Sequence, residues 1–282
     1  MKSFICGSDI AGLAYSRTEY TLLPLNDTRD NFIQAAASFF VQSWMCASLP
    51  EIADVWLHWD DASEEERVHY LSHLDHLFSD EILIDDPDGK NSPPNSHHTA
   101  PIGTFSETML RWMRTAFEPT PLLMEPPAPM PTNDGKIDFI EITGLADDLA
   151  SLNVTLWEVK SSDSQVSYHN SKIYRQLEDY PKRFFSIANC LSASYSGNDI
   201  AFKTFLKQMG RMARNRHPQV HYGIFITYDP NVAQEREIVP GLHKHPVNHP
   251  TPPDHLCHHL VLLLIPDFKH LRMEVWRSLH LI

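Results

Sequence analysis

The runs KIDFIEIT (residues 136–143) and VTLWEVK (residues 154–160) decide the fold class of this 282-residue chain. Both have the length and apolar content of buried β-strands, and the first alternates apolar and polar residues. Around them the sequence predicts, in chain order, helices over 30–48, 63–78 and 103–117, a short strand at 122–125, an interrupted helix over 168–194, a helix over 199–215, strands at 220–228 and 259–265, and an amphipathic segment over 268–281. This order predicts an α/β protein with a mixed sheet flanked by helices.

The composition of residues 85–101, DDPDGKNSPPNSHHTAP, is typical of a linker because it combines Pro, Asp, Asn and Ser with one Gly. We therefore place a domain boundary there. It separates a mainly helical N-terminal region, residues 1–100, from a sheet-containing domain, residues 101–282.

Charge is distributed unevenly along the chain, whose net charge is −13. Residues 1–159 carry 8 basic and 26 acidic side chains, whereas residues 160–220 carry 10 basic and 4 acidic ones. The acidic total argues against a free-standing, non-specific nucleic-acid binder, but the basic segment leaves room for a phosphate-binding face. Four cations step along one side of the 199–215 helix, as a phosphate-binding stripe or a solvated face: Lys203, Lys207, Arg211 and Arg214.

Several classes of protein are disfavoured by what the sequence lacks. No run reaches 18 apolar residues, so no membrane span is expected, and no signal peptide is recognised, which makes the cytoplasm the expected location. The four cysteines show no CxxC spacing, so neither a disulfide framework nor a cysteine-ligated cluster is indicated. No phosphate-binding GxxxxGK[ST] loop and no GxSxG nucleophile elbow occur.

The candidate site is a set of charged residues on the two deciding strands. Glu158 and Lys160 are two residues apart on one strand, so their side chains leave the same face of the sheet. Asp138 lies on the preceding strand, and adjacent strands are about 4.8 Å apart, so the two carboxylates can meet. Because buried charges are costly unless they are paired or bind a metal, such charges in an apolar run indicate a site.

Two carboxylates and a backbone carbonyl, that of Val159, offer the oxygen ligands that Mg²⁺ or Mn²⁺ prefers. Such a metal can polarise a phosphodiester and lower the pKa of a bound water, and a neighbouring ammonium can stabilise the charge that develops. The alternative is a surface strand that carries an ordinary Glu–Lys ion pair.

An aspartate followed on the next strand by ExK, after a helix, resembles the PD-(D/E)XK nuclease superfamily, whose fold is restriction-endonuclease-like. The resemblance implies that Asp138 and Glu158 are metal ligands and that Lys160 is the catalytic lysine. Glu107, on the preceding helix, matches the acidic helix residue of many members and would join the metal ligands. Its alternative is a solvated or capping glutamate near the helix start.

Gln176 and Tyr180 fit the QxxxY motif of the RecB-like exonuclease branch of that superfamily, and four residues apart they share one helix face. The resemblance implies that they hold or orient the substrate strand; the alternative is an ordinary amphipathic helix. The chain departs from the pattern in two places, since no proline precedes Asp138 and Pro181 directly follows the tyrosine. No four-cysteine set accompanies the motif, so the iron–sulfur variant of this branch is not expected.

The series GTFSETML, DGKIDF and LWEVK, with the acidic N-terminal part, is also similar to the HamA-like nuclease component of Hachiman antiphage defence. That likeness implies a metal-dependent DNA nuclease that works with a helicase partner. Two other functions stay open: a catalytically silent nuclease-fold subunit that binds nucleic acid or a partner protein, and a pure interaction subunit whose acidic surface is the working part.

Residues 243–259, HKHPVNHPTPPDHLCHH, hold six histidines and Cys257. Zinc binds both residue types, but four prolines disrupt any regular ligand spacing. An exposed insertion loop is the favoured interpretation and a structural zinc site the alternative.

Overall fold

The computed structural model describes most of the predicted helices and strands. The described residues are 1–10, 16–23, 29–46, 49–82, 99–117, 121–125, 137–145, 147–162, 184, 187–189, 191–193, 199–215, 217–231 and 259–279. They form two compact units, one of residues 1–21 and 113–266 and one of residues 22–112 and 267–282.

The first unit is built on a seven-stranded sheet with the order β1-β2-β7-β6-β5-β4-β3. Its strands are β1 (Ile5–Ile10), β2 (Ser16–Leu22), β3 (Leu123–Glu125), β4 (Phe139–Thr143), β5 (Asn153–Ser162), β6 (Val220–Tyr228) and β7 (His259–Leu264). Strands β2, β7, β6 and β5 run parallel, whereas β4 pairs antiparallel with β5 and β3 antiparallel with β4. The predicted α/β class with a mixed sheet is therefore confirmed.

Strand β6 lies in the interior of the sheet, and every one of its residues except His221 is buried. Its sequence is accordingly almost entirely apolar. Helix α5 (Ile200–Arg214) begins with Asp199 as its N-cap, whose carboxylate accepts the amide of Phe202 at 3.0 Å. Its apolar side packs with one face of β4–β7 in a single core. The even-numbered residues of β5, Val154 and Leu156, point into that core.

The second unit is helical and contains α1 (Arg29–Phe40), a π-helical turn (Val41–Met45), α2 (Pro50–Leu57), α3 (Glu64–Ile82), most of α4 (Thr99–Ala116) and α6 (Phe268–Ser278). Its core is aromatic: Trp276 packs edge-on against Phe40 at 4.8 Å and against Phe105 at 5.7 Å between ring centroids. At the start of α3, Ser63 and Glu66 form a reciprocal capping box through backbone and side-chain hydrogen bonds.

The two units do not follow the predicted division at residue 100. Strand β2 pairs with β7 from Ser16↔His259 to Thr21↔Leu264, so the N-terminal region supplies strands to the sheet. At the other end, α6 clusters with the helices of the second unit. Most of the predicted linker at 85–101 lies outside the described residues.

Candidate active site

Asp138 directly precedes β4 and lies beside β5. The backbone N–H of Asp138 donates to the carbonyl of Trp157 at 3.2 Å, which continues the antiparallel pairing one residue before Phe139. The carboxylate of Asp138 then accepts the backbone N–H of Val159 at 2.6 Å. This short hydrogen bond to a charged acceptor fixes the side chain of Asp138 against the strand that carries Glu158 and Lys160.

The ammonium of Lys160 lies close to the oxygens of the other residues of the candidate site. Its Nζ lies 3.1 Å from the carbonyl oxygen of Val159 and 3.8 Å from Oδ2 of Asp138. It also contacts Oε1 of Glu158 as an ion pair. Two carboxylates and one carbonyl, the oxygens that the sequence suggests as metal ligands, thus surround one cation.

The three charged side chains lie at different depths. The side chain of Glu158 is 0% exposed, whereas those of Asp138 and Lys160 are 18% and 24% exposed. Glu158 belongs to the face of β5 that also carries Leu156, so its carboxylate lies beside the apolar core. A fully buried carboxylate is costly without a partner, and here the ammonium offsets that cost.

The oxygens fit a hard divalent cation in type and placement, since the ammonium shows that one positive charge can contact Glu158 and Val159 and approach Asp138. Within the described ranges, no group of three or more His, Cys, Asp or Glu side chains is placed to hold a metal. The group around Lys160 itself offers two carboxylates and a carbonyl. Glu107 is half-buried on α4 in the helical unit, and its role as a metal ligand stays a prediction.

Two further predicted site residues, Gln176 and Tyr180, lie outside the described residues, as does the His-rich run 243–259 apart from His259. Their roles stay predictions.

The cationic stripe lies on the outer side of α5. Lys207, Arg211 and Arg214 are exposed and Lys203 is half-exposed. Only five residues join α5 to the start of β6, so the helix runs antiparallel to β5 and β6. The first turn of α5, with Lys203, therefore lies towards the end of the strands at which β5 carries Lys160. The stripe therefore begins at the end of the unit that carries the charged site.

A second charged group, which the sequence patterns did not reveal, lies on the opposite face of the same strands. Glu141 lies beside Thr155 across β4 and β5, so it shares a face with Trp157 and not with Glu158. Its Oε1 accepts Nε and Nη2 of Arg114, both at 2.7 Å, and its Oε2 accepts Nε1 of Trp157 at 2.6 Å. An acidic residue in the middle of the apolar run FIEIT was the available signal.

Two histidines lie on that same face. Nδ1 of His221 on β6 and Nε2 of His259 on β7 are 2.9 Å apart, and Nε2 of His221 lies 3.0 Å from the carbonyl oxygen of Pro218. Burial lowers the pKa of His221, and the contact with that carbonyl opposes the shift. His221 is therefore held towards its neutral form.

No protein-family model and no curated protein matches this chain. In the part of the chain that the structure describes, no helix has the length and apolarity needed to cross a membrane.

Proposed function

We propose that this protein is a metal-dependent DNA nuclease that hydrolyses phosphodiester bonds at the Asp138–Glu158–Lys160 group. The observation that carries the proposal is the placement of two carboxylates and the Val159 carbonyl around one cation, at the end of a sheet strand. A structural ion pair needs one acid and one base, whereas this group adds a second carboxylate and a carbonyl.

In this proposal Asp138, Glu158 and the Val159 carbonyl hold Mg²⁺ or Mn²⁺. When bound, the metal supplies Lewis acidity for the phosphodiester and for a water ligand. The hydrogen bond from the Val159 amide keeps the Asp138 carboxylate in position. The Glu158 side chain is held by the buried residues that surround it. Lys160 is partly exposed, so its ammonium can turn from these oxygens towards the attacking water or the phosphate, where it stabilises developing negative charge.

The basic stripe of α5 would contact the DNA backbone, with Gln176 and Tyr180 orienting the strand as the nuclease resemblance implies. Net charge supports a partner: residues 1–159 carry −18, which repels DNA and weakens binding by the chain alone. We therefore propose a helicase or other protein subunit that supplies affinity and delivers the strand, consistent with a role in antiphage defence.

The decisive experiment measures cleavage of labelled single- and double-stranded DNA with Mg²⁺ or Mn²⁺, with and without EDTA. The variants are Asp138→Asn, Glu158→Gln and Lys160→Ala, and the matched control is Lys269→Ala, which removes an exposed lysine of α6. We expect EDTA to abolish cleavage and Lys160→Ala to lower the rate by about 10²-fold or more. Wild-type cleavage by all three site variants would contradict the assignment.

DNA binding tests the stripe separately from chemistry. Affinity for a labelled oligonucleotide is measured at about 50 and 200 mM salt for wild type and for the Lys207→Glu/Arg211→Glu double variant. Phosphate contacts release counterions, so the variant should bind all sequences more weakly, with a salt slope flatter by about one unit per lost contact. Unchanged binding would show that these residues of α5 do not contact the DNA.

A catalytically silent subunit is the second candidate, and one observation favours it: the Lys160 ammonium already compensates Glu158 and contacts the Val159 carbonyl. Such a cluster can join Asp138, at the start of β4, to β5 without a bound metal. The two candidates differ in calorimetry with Mn²⁺, which should release heat with the wild type if the oxygens bind metal. DNA binding without metal binding or cleavage would favour the silent subunit.

A further inference from the structure

Two histidines lie together on the face of the sheet that carries Glu141. His221 on β6 and His259 on β7 line a surface pocket of about 300 Å³ within the first unit. Both side chains are partly exposed, so small solutes can reach their rings. Glu158 and Lys160 leave β5 on the other face and do not line this pocket, so the histidine pair is separate from the proposed catalytic group.

A backbone contact fixes which nitrogen of His221 carries the hydrogen. Its Nε2 lies 3.0 Å from the carbonyl oxygen of Pro218. A carbonyl oxygen only accepts hydrogen bonds, so Nε2 of the neutral ring carries the hydrogen and Nδ1 presents a lone pair. Metal-binding histidines are oriented in the same way, by a hydrogen bond from the second ring nitrogen to a carbonyl or carboxylate.

The lone pair of His221 faces the second imidazole. Nδ1 of His221 and Nε2 of His259 are 2.9 Å apart, so in the metal-free protein the Nε2–H of His259 donates to Nδ1. The sheet sets this spacing, because His259 is paired with Gly223, which is two residues beyond His221 on β6. The two nitrogens are therefore brought together by the backbones of two neighbouring strands.

This spacing also suits two ligands of one metal ion. Nitrogens that bind a metal at about 2.0–2.1 Å lie about 2.9 Å apart when the two bonds meet at a right angle, and about 3.4 Å apart at the tetrahedral angle. The observed 2.9 Å equals the first value. Both rings can therefore bind one ion after a rotation of the side chains, without separation of β6 from β7.

The electrostatic surroundings allow a cation at this place. Burial lowers the pKa of His221, and the contact with the Pro218 carbonyl opposes the shift, so the ring is held towards the neutral form that binds metals. Among the described lining residues, Arg114 carries a positive charge, and it is paired with the carboxylate of Glu141 at 2.7 Å. A metal ion beside the two imidazoles would not meet an uncompensated arginine.

The ligand type selects the class of metal. Imidazole nitrogens suit Ni²⁺, Cu²⁺ and Zn²⁺, whereas Mg²⁺ prefers oxygens, and a right angle between two nitrogens is typical of Ni²⁺ and Cu²⁺. In the described part of the chain, no third His, Cys, Asp or Glu completes a metal-binding group. Water has room in the pocket to occupy the remaining coordination positions.

We propose that His221 and His259 bind one transition-metal ion, of the class of Ni²⁺, Cu²⁺ or Zn²⁺, through Nδ1 and Nε2 respectively. The ion takes the place of the hydrogen that His259 donates to His221, and this hydrogen moves from Nε2 to Nδ1 of His259. Both rings stay neutral, so no proton is released. The bound ion joins β6 to β7 on the face opposite the proposed catalytic group.

The test is calorimetric titration of the full chain with Ni²⁺ at about pH 7.5, in excess Mg²⁺ that occupies sites made of oxygen ligands. The His-rich run 243–258 and the His69–His73 pair of α3, whose ring centroids are 6.2 Å apart, also offer imidazoles. The measured quantity is therefore the number of ions bound per chain. We expect the proposed ion to bind with a Kd below about 100 μM.

Three variants locate this ion: His221→Gln, His259→Gln and the double variant. Each single variant should bind one ion fewer than the wild type, and the double variant should lose no more than either single variant, because one ion needs both rings. The matched control is His270→Gln, which removes an exposed histidine of α6 and should bind as many ions as the wild type. Measurement of Tm shows which variants fold, and either single variant suffices if the other does not.

The proposal is overturned if the wild type binds no Ni²⁺ under these conditions, or if the folded single variants bind as many ions as the wild type. Loss of an ion in only one of two folded single variants, or of two ions in the double variant, would also overturn it, because the rings would then not share an ion. The same conclusion would follow from loss of an ion in His270→Gln. None of these measurements depends on DNA cleavage, so the outcome is independent of the nuclease proposal.

Discussion

Two buried glutamates on neighbouring strands have opposite surroundings. Glu141 on β4 is 1% exposed, and its two oxygens accept an arginine and a tryptophan N–H at 2.6–2.7 Å. Glu158 on β5 is 0% exposed and faces the other side of the sheet, where the ammonium of Lys160 is its charged partner. That ammonium also contacts the Val159 carbonyl and approaches Asp138.

The difference lies in the partners and not in burial. Arginine binds through a planar fork and keeps its charge, so the Arg114–Glu141 pair resembles a fixed structural link. Lysine carries one compact charge on a flexible stem, and a divalent cation can take its place among the same oxygens. Under the proposed function, the partner that can be displaced makes Glu158 the candidate metal ligand, whereas the fixed partner makes Glu141 a structural residue.

The largest effect that we expect comes from breaking the fixed pair. Arg114→Met leaves the carboxylate of Glu141 buried with the N–H of Trp157 as its remaining charge-stabilising contact, and should lower the free energy of unfolding by about 3 kcal/mol. Chemical denaturation measures it. Arg211→Met, which removes an exposed arginine, is the control and should change stability by less than about 0.5 kcal/mol. Equal effects of the two variants would show that the buried pair contributes little.

The next largest expected effect is a rise in Tm on addition of metal, which should occur at Glu158 and not at Glu141. Lys160→Ala removes the ammonium that contacts Glu158. If the proposed site binds metal, Mg²⁺ or Mn²⁺ should raise the Tm of this variant more than that of the wild type, in which the metal has to displace the ammonium. At about 100 times the metal Kd, the gain corresponds to about 2.7 kcal/mol. Arg114→Met should show no such gain. A metal effect of the same size in both variants would place the binding elsewhere.

A smaller effect concerns Asp138. In Asp138→Asn the amide oxygen can still accept the N–H of Val159, so stability should change little, while one anionic metal ligand is lost. We expect the affinity for Mn²⁺, measured by calorimetry, to fall about tenfold or more. Metal affinity equal to that of the wild type would remove Asp138 from the ligand set.

Most of the local structure could be predicted from the sequence because it depends on local patterns. The strand at Val220–Tyr228 was predicted with its observed ends, and Asp199 and Ser63 mark helix starts through side-chain caps that the sequence displays. The close approach of Asp138 to the ExK strand also followed, since adjacent strands in the chain are antiparallel neighbours in the sheet.

The long-range arrangement could not be predicted in this way. The pairing of β2 with β7 joins residues more than 240 positions apart, and no local pattern encodes it. The Arg114–Glu141–Trp157 group was missed for the same reason, because its arginine comes from a helix and its other members from two strands. The sequence showed charges on one face, whereas the structure shows a charged group on each.

The smallest effect is a dependence of stability on pH that arises on the face of Glu141. Burial lowers the pKa of His221 from its ordinary value of 6.5, so the unfolded chain takes up a proton at a higher pH than the folded one. Stability from this group is therefore present above about pH 6.5 and is lost as the pH falls towards the lowered folded value. The described groups near His221 include His259 and the Pro218 carbonyl, and Tyr20 and the mutually compensated Arg114 and Glu141 line the same surface pocket.

We expect His221→Gln to lose less Tm than the wild type between about pH 7.5 and pH 5.5. The control is Gln208→Ala, which removes an exposed side chain of α5 without a titratable group and should lose as much Tm as the wild type over this pH range. Equal losses in His221→Gln and wild type would mean that His221 takes up its proton without cost. The face of Glu141 would then accept a positive charge on His221 without loss of stability, and the difference between the two faces would depend on the Arg114–Glu141 pair.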